Sequence, residues 1–562
     1  MEHYLGYLTA ESSEEKENFL PRTFTMTESI KKALGPNVCF VCGRKGAGKT
    51  AIAEMTKFLT TEVGDKLFSC SIGITEEDYQ EFHNVFFQEL EQIAIGKKEE
   101  SIARNLEQCY YYLWRYILDL MTFQAALNVP NLSVDYTTEI EVIQSYMADK
   151  IVRSASDHAM ILAADILMTS QQTATPLTYF TIACKNLRYT TSHINAERAA
   201  QAIFRIYTAA VTIDTMEQYD LTNYRIYPLR GLCHAVKEYQ TERKYNKVAL
   251  KCFLPAELTD RLFRDNLAKY NEFASYIRWS YSDLIEFMAR RYYLFLSTNQ
   301  DKPSIDLVNK IKPLIEHAGK AGNSHHDYWF TNFWLQICPE KIKNKFGWPE
   351  NSCAYLIRHT QKRPREIMSC MNFVIDYSIT RGEFPKISEQ TLHDGIHDDN
   401  NIYQLLSDNL SIFNLPRREE SVAQIASELI ADESTIFSGA HFSRFAKRAL
   451  AILSTEDNID RADFAKTILL RSGLVGRIRP YSPDEPAHIW VEPEGGAQCK
   501  YYITEFEYLM PGYVSINENS LCAVHPILSD RLSLRPPLGD RGIVYPLPES
   551  ADLITQLNEK RS

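Results

Sequence analysis

The chain has 562 residues, 45% of them hydrophobic and 24% charged, with a net charge of −11. These proportions are ordinary for a globular protein, and the length suits about two to four domains that each bury a core. The acidic balance excludes a generally basic, nucleic-acid-coating protein, though a local basic patch remains compatible with it. The twelve cysteines are scattered, and the acidic stretch Glu11 to Glu17 is the opposite of a secretory leader, so a reducing cytoplasm is the expected setting.

The first informative element is an apolar run, Val38 to Cys42, that enters Gly43-Arg44-Lys45-Gly46-Ala47-Gly48-Lys49-Thr50 and then the helix-permissive Ala51-Ile52-Ala53. The spacing is G-x-x-x-x-G-K-T, with a strand predicted before it and a helix after it. Glycines let such a backbone wrap a polyphosphate with several N–H groups aimed at it, and the following helix turns its positive end to the same anion. Gly43, Arg44, Lys45, Gly46, Ala47, Gly48, Lys49, Thr50 and Ala51 are therefore candidate nucleotide-binding residues. Lys49 is expected on the β- and γ-phosphates, with a catalytic share, and the Thr50 hydroxyl on magnesium. Cys39 and Cys42 form C-x-x-C, but their place in or beside the strand predicts core packing and not redox chemistry.

The apolar stretch Tyr110 to Val129 is interrupted by Arg115 and Asp119, which predicts a buried helix and not a membrane span. With the helical stretches Leu106 to Leu127 and Ile194 to Ala210, it predicts a helical insertion over about 75–205. A second strand, Ala209-Ala210-Val211-Thr212-Ile213-Asp214, delivers a carboxylate at its C-terminal edge, where parallel sheets place ligand groups. Asp214 is the candidate second magnesium anchor and Glu217 the candidate group for polarising an attacking water. The helix-like Leu229 to Gln240 and a third strand, Lys247 to Leu254, complete a strand–helix–strand alternation and predict a parallel sheet with right-handed crossovers.

From about Ala256 to Ser378 the pattern is helical, with Ile277, Tyr281, Leu284 and Met288 on one face and Arg290 and Arg291 closing the run. Pro364 suits a helix start and leaves Arg363 or Arg365 at the entrance, in reach of a γ-phosphate as a sensor; the competing reading is a solvated basic helix start. His393, His397, Asp398 and Asp399 have possible metal spacing, but Gly395 and the polar surroundings mark a linker over 386–418. His325-His326-Asp327 reads as a loop. Glu419 to Ala431, Ala440 to Leu453 and Arg461 to Leu470 have helical spacing, and a hairpin from Ile489–Glu492 and Cys499–Leu509 follows. That order suggests a winged-helix-like module over 419–562, with Arg444, Lys447, Arg448, Arg471, Arg477 and Arg479 read as a solvated face.

Taken together, Gly6 with Ala10-Glu11, Phe19-Leu20, Ser29-Ile30, the Gly-Arg-Lys-Gly form of the turn, Ile213-Asp214, the Ile277-x-Trp279 helix, Arg363-Pro364-Arg365 and Val524-His525-Pro526-Ile527 carry a resemblance. The chain resembles a family of bacterial P-loop ATPases allied to the STAND and AAA+ classes. The resemblance implies an α/β P-loop NTPase core with a parallel sheet and helical insertion (1–260), a helical lid (261–385) and an α+β winged-helix-like tail. It implies ATP and Mg²⁺ as ligands, held by Lys49, Thr50 and Asp214, with Arg363 or Arg365 as lid sensor. Thr215, Glu217 and Gln218 stand where such relatives carry a small residue and an Asp-Glu pair, so hydrolysis is expected to be slow or absent; Pro255 stands where an arginine is common, so a first sensor of the usual kind is not expected. The expected role is a cytoplasmic, nucleotide-dependent switch in bacterial signalling or anti-phage defence. It would engage a protein partner or effector subunit, another copy of itself, or nucleic acid through the tail, and no membrane. The alternatives are a nucleic-acid-binding regulator with structural nucleotide and, more remotely, a small-molecule kinase.

Overall fold

Short, buried runs set the centre of the first sheet. Phe40–Gly43 (β1) and Ala209–Asp214 (β3) are buried throughout, and Val248–Pro255 (β4) at every position but Ala249. Near-continuous apolar sequence is what strands covered on both faces require. Cys70–Ile74 (β2) and Ala274–Tyr276 (β5) are less buried and lie at the two edges. The five strands are parallel, in the order β2-β3-β4-β1-β5.

The computed structural model describes residues 4–6, 19–59, 67–82, 84, 99–148, 155–171, 176–215, 226–242, 245, 247–263, 267–298, 302–318, 329–410, 434–453, 461–482, 485–486, 488–491, 499–508, 514–530 and 542–546. The chain divides into two units. One comprises Glu28–Gly43 and Lys49–Ile277; the other comprises Met1–Thr27, Arg44–Gly48 and Arg278–Ser562.

The sheet unit also contains a run of helices between β2 and β3. Helices α1 (Glu28–Leu34) and α2 (Lys49–Met55) flank β1, and α3 (Glu99–Leu127), α4 (Thr137–Ala148), α5 (Ala155–Gln171), α6 (Pro176–Leu187) and α7 (Thr191–Ile203) lie between β2 and β3. Helix α8 (Ile226–Glu242) connects β3 to β4. At 29 residues α3 is about 43 Å long, and Leu106, Tyr110, Leu113, Trp114 and Ile117 bury its apolar face in the same core as Phe40, Leu250 and Leu254. The two charges that interrupt its apolar run are both buried and paired. Asp119 accepts from Arg188 Nε at 2.7 Å and lies 3.2 Å from His193 Nε2, while Arg115 donates to Glu242. Among the described residues no helix is long and apolar enough to cross a membrane. Helix α8 crosses α3 at Gly231, where a Cβ would stand 2.5 Å from Tyr110 Cβ and 2.8 Å from Tyr111 N. Only a residue without a side chain allows that approach.

Lys251 is a buried lysine in an otherwise apolar strand. Its ammonium donates to three carbonyls beyond and at the end of α1, Ala33 O at 3.0 Å, Gly35 O at 2.6 Å and Val38 O at 2.5 Å. Burial pushes its pKa down to about 7, against an opposing effect of Cys39. Three donors meeting three acceptors tie the approach to β1 onto β4.

In the other unit, Tyr281–Thr298 (α9) buries Tyr281, Leu284 and Met288 as expected. Two details differ from the sequence reading. Ile277 precedes the helix, and the helix continues past Arg290–Arg291, because Arg291 is buried and donates to Leu5 O at 2.8 Å instead of ending the turn. The hairpin β6 (Lys341–Lys343) and β7 (Pro349–Asn351) leads into α10 (Ser352–Arg358), and Pro364–Thr380 forms α11. Within the 386–418 segment read as a polar linker, the described residues instead form α12 (Glu389–Ile396) and α13 (Asp399–Leu410), and 411–418 lie outside the described residues. Gly395 is no turn residue: a Cβ there would meet Val374 Cγ2 at 2.6 Å, so its bareness seats α12 against α11. His397 Nε2 lies 2.7 Å from Tyr355 Oη, and among the described residues no three or more His, Cys, Asp or Glu side chains gather as a metal-ion site.

The tail contains α14 (Gly439–Leu453) and α15 (Arg461–Arg471), matching the helical spacing of Ala440 to Leu453 and Arg461 to Leu470. The expected helix at Glu419 to Ala431 and the loop at His325–Asp327 lie outside the described residues. The hairpin exists as β10 (His488–Val491) against β11 (Cys499–Glu505), but it belongs to a larger sheet. With β8 (Ile436–Ser438), β9 (Val475–Ile478), β12 (Leu521–Val524) and β13 (Gly542–Pro546), the order is β10-β11-β9-β12-β8, with β13 parallel to β11. A buried ionic group ties this tail to α10. Arg358 Nε donates to Glu350 at 2.9 Å and its Nη2 to Asp530 at 2.7 Å, and His359 Nε2 lies 3.1 Å from the same Asp530 oxygen.

Candidate functional site

Strand order locates the place where this sheet can hold a ligand. After β1 the chain moves past β4 and β3 to form β2, whereas after β4 it passes β1 to form β5. Adjacent strands whose onward connections diverge leave a crevice at their carboxyl ends. Gly43 ends β1 opposite Pro255, the last residue of β4. Asp214 ends β3 level with Phe253, which is itself level with Val41. One strand separates β3 from β1, so Asp214 stands about 10 Å across the sheet from the β1 backbone. Its side chain is buried, and Thr215 Oγ1 donates to Phe253 O at 2.8 Å, fixing the strand's exit.

Lys49 opens α2, and its buried ammonium donates to Gly43 O at 3.1 Å, spanning the ends of the glycine turn. Thr50 and Ala51 follow in the same helix, both partly exposed. A single buried carboxylate and a threonine hydroxyl suit Mg²⁺, which usually takes one or two protein carboxylates and completes its shell with phosphate and water.

The turn itself, Arg44–Gly48, groups with the other unit. Gly46 and Gly48 have φ of 79° and 96°, the left-handed region where a side chain is strained. Ala47 N–H donates to Arg44 O at 3.0 Å, closing the bend. Side chains from outside the turn hold its remaining edges. Arg363 Nη1 donates to Lys45 O at 2.6 Å, and Trp279 Nε1 donates to Ala47 O at 2.9 Å. Arg44 Nη2 donates to Arg471 O, the last residue of α15, at 2.7 Å, and its guanidinium lies over the Tyr508 ring. Arg365 packs on Gly46, where a Cβ would come within 3.1 Å of Arg365 Cβ.

Several sequence expectations are thereby located. Arg363 is the N-cap of α11 with Pro364 at its first turn, as predicted. It is not a solvated helix start: it is buried, and besides Lys45 O it contacts Glu366 and Asn409. Glu217 lies outside the described residues. Cys39 and Cys42 are buried free thiols, and burial raises Cys39 to about 12 and Cys42 higher still, which suits packing and not redox work. Arg444 and Lys447 are exposed, Arg479 is exposed, and Arg477 pairs with Glu505. Trp279 lies between β5 and α9 and is part of neither a helix nor a strand. Its grip on the turn has no signature in spacing, nor does the anchoring by Lys251, whose one visible sign is a lysine inside an apolar strand. No known protein-family model matches this chain, and no curated protein sequence matches it.

Proposed function

We propose that the chain binds ATP with Mg²⁺ at the Gly43–Thr50 turn and acts as a nucleotide-dependent switch. One observation carries this reading: a glycine turn with two left-handed residues leaves β1 at the diverging point of an all-parallel sheet, and β3, on the far side of β4, ends in the buried carboxylate of Asp214. Backbone N–H groups of Arg44–Gly48 would bind the phosphates, Lys49 would exchange Gly43 O for phosphate oxygens, and Thr50 and Asp214 would hold the cation. The bound cation would neutralise phosphate charge. Arg363 and Arg365, already against the turn, are the residues that would feel a triphosphate there. Hydrolysis, with Glu217 as the water-polarising group, is the further step of this proposal. So is a role in bacterial signalling or anti-phage defence, with nucleotide state governing engagement of a protein partner, a second copy or nucleic acid through the tail.

The test is calorimetric titration of ATP with magnesium into the wild-type chain, Lys49→Ala and Asp214→Ala. Lys49→Ala is expected to abolish binding without altering the circular dichroism spectrum. Asp214→Ala is expected to weaken binding only when magnesium is present. Undiminished ATP affinity in Lys49→Ala refutes the site.

A further inference from the structure

The turn's N–H groups are aimed by side chains gripping it from behind. The peptide bonds of the turn are trans and planar, so each carbonyl points opposite to the N–H of the next residue. Arg363 holds Lys45 O, which turns the Gly46 N–H the other way. Trp279 holds Ala47 O, which turns the Gly48 N–H the other way. Neither of those two N–H groups donates to any described residue. Both glycines have positive φ, so without an external hold each peptide could rotate at low steric cost. Donation into a carbonyl also polarises its peptide and strengthens the N–H as a donor.

We infer that Trp279 and Arg363 are positioning residues for polyphosphate recognition, presetting the Gly46 and Gly48 N–H groups as a paired anion receptor. The inference rests on the proposed nucleotide site and deepens it: the recognised group is the diphosphate portion of the nucleotide, independent of base and sugar. The hold is specific to the indole N–H in one case, since phenylalanine keeps a smaller aromatic ring there and carries no donor. It is specific to a forked cation in the other, since Arg363 serves Lys45 O, Glu366 and Asn409 together, which a lysine's single ammonium does not reproduce.

The experiment titrates the full chain with ATP, inorganic pyrophosphate and AMP, and records amide spectra of glycine-¹⁵N-labelled protein. Trp279→Phe is expected to weaken ATP and pyrophosphate equally, by about tenfold, to leave AMP unchanged, and to shift the Gly48 amide signal before any ligand is added. Arg363→Lys is the second variant, expected to weaken the same two ligands and to shift the Gly46 signal, and it decides the matter if Trp279→Phe does not fold. Wild-type chain that binds neither ATP nor pyrophosphate overturns the nucleotide reading and this inference with it. Wild-type binding matched by equal affinity and unmoved glycine signals in the folded variants overturns the positioning role alone.

Discussion

His525 gives the sharpest quantitative expectation for the tail. It is buried, precedes the short helix Pro526–Ser529, and its Nδ1 accepts the Ile527 N–H at 3.3 Å. The neutral ring therefore carries its proton on Nε2, 3.2 Å from Tyr508 Oη. Protonation needs the lone pair that Ile527 already occupies, inside a region that also contains His359, Arg363 and Arg358. Burial first, then repulsion by His359, Arg363 and Arg358 against an opposing backbone hydrogen bond at Thr360, lower its pKa to about 3. The unfolded chain binds this proton near the ordinary histidine value of about 6.5, so between about 3 and 6.5 it carries more protons than the folded one and stability rises with pH. Going from pH 7.5 to 5.5 costs about 1.4 kcal/mol at this residue. In His525→Asn the amide oxygen can accept the same N–H without titrating. Urea midpoints at the two pH values are expected to show the variant losing about 1.4 kcal/mol less than the wild type on acidification. The remaining loss in both belongs in part to His359 and His397, which burial also holds below the ordinary value. Identical losses in the two proteins would refute the neutral, acceptor assignment.

Two further outcomes follow from packing and charge. Gly231→Ala gains about 1 kcal/mol in helix propensity, yet its methyl would stand 2.8 Å from a backbone nitrogen of α3 that cannot step aside. Overpacking of about 3 kcal/mol wins, so calorimetry should show a melting temperature lower by roughly 4–8 °C, and an unchanged or higher value contradicts the close crossing. Arg358→Met leaves Glu350 and Asp530 buried without their shared cation, which should cost about 3–5 kcal/mol by urea denaturation; a loss below about 1 kcal/mol would mean the group is not buried in solution.

The parts of this molecule legible from its residues are those whose signals are local and repeated. Runs such as Ala209–Asp214 and Val248–Leu254 are apolar at nearly every position because both sheet faces are covered, so they read as strands without any partner being known. The insertion reads as helical because Tyr110, Leu113, Trp114 and Ile117 recur at helical spacing. Edge strands were hidden for the opposite reason: β5 has three residues and β2 is partly open, so neither leaves a run long enough to notice. Gly395 misled because glycine marks both turns and close helix crossings, and only the facing Val374 distinguishes them. At the candidate site the glycine turn and Asp214 were visible as patterns along the chain. Arg363's burial was not, since it depends on Asn409 and Lys45, which are remote in sequence.

The grouping of Arg44–Gly48 with residues beyond 278 has an evolutionary corollary. The backbone passes between the two units at four peptide bonds, after Thr27, Gly43, Gly48 and Ile277. A recombination event that transplanted the sheet as one contiguous cassette, ending at Ile277, would carry the glycine sequence along but abandon Trp279 and Arg363. The sheet unit and the unit that contains Arg44–Gly48 are thus heritable only as a set, because the chain enters that five-residue turn from β1 and leaves it into α2.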